Sequence, residues 1–230
     1  GQIGYVYARD GEPMLPTQTL ARTVDCNNFQ DVRAFLANSG QKGIQRSILR
    51  EGTYVINTAQ FVVLTQQTIY YLALDKADES QFEEMSRAIS ERQGFQPVVI
   101  VGDQVGILTV HDGPSLEPSE IIAPIVGDHA ADPNFHNNFQ DPEAFLRAGG
   151  RRGRQHQVLV EGTFYVNRLF ATLETVPKTV VEVGTVGVVV AYTGKQGVDS
   201  TGDSYKHGEL VETDCRGVWR VPLMPGKYAL

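Results

Sequence analysis

Five histidines are the first residues to weigh for chemistry. Two lie in the stretch "GDHAADPNFHNNF", where His129 and His136 accompany Asp128 and Asp132. Imidazole and carboxylate together suit a divalent metal, and a metal-activated water would make the loop a hydrolase centre. The His-x6-His interval is not a strong ligand spacing, however, and a solvated loop is the simpler reading. His111 stands beside an Asp-Gly turn, where the other copy of the phrase has Arg9, which argues for the surface. His156 follows a basic run, and His207 falls in a Gly-rich loop. No nucleophile elbow, phosphate-binding Gly-Lys-Ser/Thr loop or dinucleotide fingerprint occurs. "TGKQG" at Thr193 has the wrong glycine spacing for phosphate and suits a hairpin turn. Glu83–Glu84 and Asp75–Asp78 read as the solvated face of a helix, not as paired acid and base.

The clearest charged patch is "RRGRQH", Arg151 to His156, whose counterpart earlier in the chain is "QKGIQR". A solvated loop after the helix is the simplest reading of this run; as a candidate interaction surface, Arg151, Arg152, Arg154, Lys42 and Arg46 would face carboxylates of a neighbour or lipid phosphate. The formal net charge of -7 disfavours nucleic acid, which needs clustered cations. Cys26 and Cys215 sit in unlike contexts and read as two separate thiols. No run approaches the roughly 18 apolar residues of a membrane span. Neither an initiator Met nor a signal peptide opens the chain. It begins inside a strand-like phrase and stops where the earlier copies continue, so it reads as a piece of a longer polypeptide.

The elements that would position these residues are repeated. "NNFQDVRAFLANSGQKGIQRSILREGTYVIN" from Asn27 returns as "NNFQDPEAFLRAGGRRGRQHQVLVEGTFYVN" from Asn137. "GQIGYVYARDG", "GDQVGILTVHDG" and "GTVGVVVAYTG" form a second family of phrases, each two glycines, an apolar run and a turn. Their alternation predicts strands. Asp31 and Asp141 are suited to cap two-turn helices, with Pro142 at the first helical position. Gly40 and Gly149–Gly150 are expected to close these helices in left-handed geometry. The third copy replaces the helix with "VDSTGDSYKHGELVETDCRGVWRVP", and Trp219 is expected to plug its core. Phe82, Met85 and Ile89 fall at helical spacing between Asp75 and Gly94, predicting an amphipathic connector helix docked on the first sheet.

The expected fold is α+β and β-rich, with tandem small modules. The first spans residues 1–68 with a helix near 31–38. The connector spans 69–97, the second module 98–176 and the third 178–230. Duplicated modules build length and lateral surface; a reaction centre needs unlike groups converging on one point.

These phrases, above all "VGVVVAYTGKQG" followed by "KHGELVETDCRGVWRVPLMPGKYAL" and the "FQD..AFL" helix, resemble the N-terminal part of bacterial SPFH (band 7, flotillin/stomatin-like) proteins. The modules also resemble major vault protein repeats. The resemblance implies a non-enzymatic, membrane-associated scaffold at the bacterial cell membrane. Such a scaffold is anchored by a segment outside this sequence, oligomerises with itself into rings or cages, gathers other membrane proteins and needs no cofactor. The alternatives are an exported ligand- or glycan-binding repeat protein, using Tyr70, Tyr71, Tyr205 and Trp219, and the metal hydrolase of Asp128, His129, Asp132 and His136.

Overall fold

The computed structural model describes residues 1–118, 120–200 and 210–230. It is β-rich, with 12% helix and 32% strand. The first module contains β1 (Ile3–Ala8), α1 (Val32–Ala37), β2 (Gly43–Arg50), β3 (Phe61–Leu64) and β4 (Ile69–Tyr70), with sheet order β2-β1-β3-β4. The connector holds α2 (Asp78–Glu91). The second module contains β5 (Val98–Ile100), β6 (Gln104–Val110), α3 (Pro142–Arg147), β7 (Gly153–Leu159), β8 (Gly162–Phe164) and β9 (Ala171–Pro177). Its sheets are β7-β6-β9 and β5-β8. The third holds β10 (Thr179–Val181), β11 (Val190–Ala191), β12 (Lys195–Gln196), β13 (Leu210–Val211), β14 (Cys215–Trp219) and β15 (Gly226–Tyr228). The sheet of the first module therefore reaches past residue 68, because β4 pairs with β3.

The repeat is physical as well as textual. β1–β2 breaks register between Tyr5 and Tyr7, and β6–β7 breaks it at the matching place, between Ile107 and Thr109. Gln45 donates its amide to the carbonyls of Gln41 and Gly43; Gln155 does the same to Arg151 and Gly153, all at 2.8 Å. Asp31 and Asp141 each accept the N–H three residues on, at 2.9 Å, and so cap α1 and α3.

The repeated "NNF" has a conformational reason. Asn27, Asn28 and Phe29 have φ of 51°, 52° and 64°, and Asn137, Asn138 and Phe139 have 47°, 55° and 64°. Three successive left-handed residues cost roughly 1–2 kcal/mol each, less for Asn. Burial offsets that cost: Phe29 and Phe139 are 3% and 1% exposed and pack on Phe35 and Phe145. His136 and Cys26 hold equivalent places before this turn. The Phe139 N–H donates to His136 Nδ1 at 2.8 Å, and the Phe29 N–H meets the Cys26 thiol.

The second helix ends as expected, at a left-handed Gly149, and the first does not. Ser39, at φ 59°, takes the left-handed position in the first module and Gly149, at φ 89°, in the second. Gly40 and Gly150 are glycine for another reason. A Cβ on either would sit 2.5 or 2.3 Å from the Phe35 or Phe145 ring. Helix α2 docks as its periodicity predicts, placing Phe82 and Ile89 in one core with Tyr5, Val62 and Leu64. Asp78, in contrast, is not on a solvated face. It is 6% exposed, pairs with Arg9 at 3.0 Å and accepts the N–H groups of Leu74 and Asp75.

Trp219 does not plug a core. It is half-buried, with its indole N–H on the Cys215 carbonyl at 3.1 Å. In the third module only Val181 and Val211, among the described residues, are buried hydrophobics. Tyr205 and His207 lie outside the described residues.

Candidate functional site

The strongest concentration of buried polar chemistry is the joint between the first two modules. Arg46, on β2, is expected at the surface; instead its side chain is 7% exposed. Its Nε donates to Asp112 at 2.7 Å and a guanidinium NH₂ to Glu143 at 2.9 Å. Both carboxylates belong to the second module, 66 and 97 residues away. Asp112 also accepts the Thr19 and Gly113 N–H groups, and Glu143 accepts Thr23 N–H at 2.8 Å. Burial alone would lower the Arg46 pKa, but the ion pairs outweigh it and hold it above its ordinary value.

Around this triad the modules exchange further bonds. The Asn167 amide donates to the Gln45 and Arg46 carbonyls at 3.2 and 2.9 Å. Arg50 lies over the Tyr165 ring at 4.7 Å and reaches Gln140, while the Tyr165 hydroxyl donates to Glu51 at 2.8 Å. Leu20 of the first module enters the second module's core beside Leu108 and Phe139. The Tyr5 hydroxyl accepts Arg168 N–H at 3.0 Å and donates to the Gly94 carbonyl at 3.1 Å, tying both modules to the connector. Burial pushes its pKa up to about 12.

The remaining basic residues are mostly matched locally. Arg151 pairs with Glu117 and Glu120 at 2.9 and 2.8 Å, and Arg154 with Glu174 at 3.3 Å. Arg152 donates to the Ser115 hydroxyl, and Lys42 is exposed. The run is therefore a patch laced with carboxylates, not a bare cationic face.

The proposed metal ligands do not converge. His136 is buried with both ring nitrogens engaged, Nδ1 by Phe139 N–H and Nε2 by the Val126 carbonyl at 2.8 Å. The side chain of His129 is 88% exposed. Among the described residues no three His, Cys, Asp or Glu side chains are gathered as a metal would need. His136 instead locks the left-handed turn, and burial holds its pKa below the usual value. Among the aromatics considered for a ligand, Tyr70 is exposed, Tyr71 packs on Phe82 and Trp219 stands apart in β14. Cys26 and Cys215 are both free thiols. No described helix is long and apolar enough to cross a membrane.

Sequence reasoning missed this joint because Arg46, Asp112 and Glu143 occupy non-equivalent places in the repeat. Their counterparts are His156, Asp10 and Arg33. The signal was available in part: Arg46 and Glu143 stand where the other copy has His156 and Arg33, although Asp112 and Asp10 are alike. No family model, curated protein or solved structure matches this chain.

Proposed function

We propose that this chain is a non-enzymatic scaffold segment of an SPFH-type, membrane-associated protein, whose modules pack in a row and whose copies assemble side by side. The joint carries the reading. It brings the β2 side of one module against the turn and helix start of the next, two unlike faces of the same repeated unit. Contacts between unlike faces propagate, closing into rings or extending as filaments. The conserved geometry of the modules, with differing charges at matched positions, suits a row in which each contact has its own register.

The test is the mass distribution of the protein at micromolar concentration, with and without anionic vesicles, by mass photometry and electron microscopy. Discrete high-mass rings or cages are the expected outcome. A monomer under all these conditions would end the scaffold reading.

A further inference from the structure

The second module leaves one strand edge unpaired well inside the chain. Strand β9 is the outer strand of β7-β6-β9. The equivalent strand of the first module, β3, is not an edge. There Thr65 and Thr68 close a turn, and β4 returns to pair with β3, Tyr70 opposite Val63. In the second module Thr175–Lys178 stand in place of that turn. The Lys178 N–H bonds to the Asp103 carbonyl, and the chain runs on into β10. Among the described residues no strand returns to β9.

The alternation of an antiparallel ladder fixes which groups of β9 face outward. Phe170 and Lys178 bond inward, to the backbone of His111 and Asp103. Thr172, Glu174 and Val176 therefore bond to β6, while Leu173 and Thr175 point their backbone groups away from it. Two arginines occupy this edge. Arg168 donates from Nη1 to the Leu173 carbonyl at 3.4 Å, and Arg92, at the end of α2, donates from Nη1 to the Arg168 carbonyl, also at 3.4 Å. The matching carbonyl of the first module, on Thr58, accepts the Leu72 N–H from the chain just past β4. Where one module uses a returning strand, the other uses guanidinium groups.

Stability does not account for Arg168. It is 8% exposed, and its Nε is buried without a hydrogen-bond partner. Its one side-chain bond is long, and no carboxylate pairs with it among the described residues. A buried charge left in this state costs free energy, so its place needs another reason.

We propose that Arg168 and Arg92 are an autoinhibitory guard on β9: they occupy the seat of a returning strand and keep the same edge of a second copy from pairing there. Open edges template association between copies, and charge on the edge, with Pro177 at its end, suppresses it. The guard does not depend on the scaffold reading, since copies that meet through other faces leave the Leu173 and Thr175 amides open.

The test is sedimentation and amide exchange on the whole chain carrying Arg92→Ala and Arg168→Ala, beside the parent. The parent should exchange both amides fast at every concentration. In the double variant the mass should rise with concentration by about twofold over the parent, and exchange at Leu173 and Thr175 should slow by about tenfold as it does. Adding Thr175→Pro should abolish both effects, because it deletes an N–H that points away from β6 and leaves the ladder whole. Arg168→Met keeps the buried stem and replaces Arg168→Ala if the smaller side chain costs the cooperative fold. The proposal is overturned if the two amides stay as fast as in the parent, if the gain in mass survives Thr175→Pro, or if a lower thermal midpoint is the only effect. Protection of these amides in the parent would also overturn it, since the edge would then already be occupied.

Discussion

Arg46→Ala is the sharpest probe of the joint. The substitution deletes two charge-assisted hydrogen bonds, each worth about 1.5–3 kcal/mol. It also strands two carboxylates, of which Asp112 is 1% and Glu143 19% exposed. Asp112 keeps two backbone donors and Glu143 keeps one, so their loss is partial. Removing one partner of a buried ion pair costs about 3–5 kcal/mol. The retained donors and water's access to Glu143 place the expected loss near the lower bound, about 3 kcal/mol. With a urea slope of about 2 kcal/mol/M, the midpoint falls by about 1.5 M. Far-UV circular dichroism is the right readout. Tryptophan fluorescence is not, since Trp219 sits in the third module. A double-mutant cycle with Glu143→Gln should show coupling above about 1 kcal/mol. A midpoint shift below about 0.3 M, or strictly additive single effects, would refute the view that these charges hold the modules together.

Two further outcomes follow from the folded geometry. Burial keeps the His136 imidazole neutral in the folded chain, while in the unfolded chain it titrates near its ordinary 6.5. The unfolded state therefore binds the extra proton first: stability is complete above about pH 6.5 and falls with acidification until the lower folded value is passed. Asp78, whose folded pKa is lowered by backbone hydrogen bonds and Arg9, acts in a separate window below its ordinary 3.8. Chemical denaturation of His136→Cys, which installs the residue used at this place in the first module, should show a flatter stability profile between pH 6.5 and 5 than the parent. Gly150→Ala should cost about 1–3 kcal/mol by thermal unfolding, because its methyl has nowhere to go but into the Phe145 ring; a neutral result would show that the ring is free to move.

What was legible in the sequence was local. Asp31 and Asp141 announce helix starts by residue type and position, and the Phe82–Ile89 spacing gives the buried face of α2. The same logic fails wherever a distant partner decides. Gly-Thr-aromatic is a strand at 162–164 and not at 52–54, although the words are nearly the same, because only the later copy has β5 beside it. Arg46 looks like a surface cation until Asp112 and Glu143 arrive from the other module. Asp78 looks solvated until Arg9 folds over it. The charge of a residue is written in the chain, but its solvent is not.

The Tyr5 hydroxyl, bonded at once to Arg168 and Gly94, has a mechanical consequence. Any swing of the second module about the first must break that oxygen's contacts together with the Arg46 triad, so these two units bend as one stiff plate. The third unit's first strand meets the second through Lys178, whose N–H and ammonium reach the Asp103 and Gly102 carbonyls. The third unit has few buried hydrophobics of its own among the described residues, so under load it should yield before the two buried cores on the other side of Lys178 are disturbed.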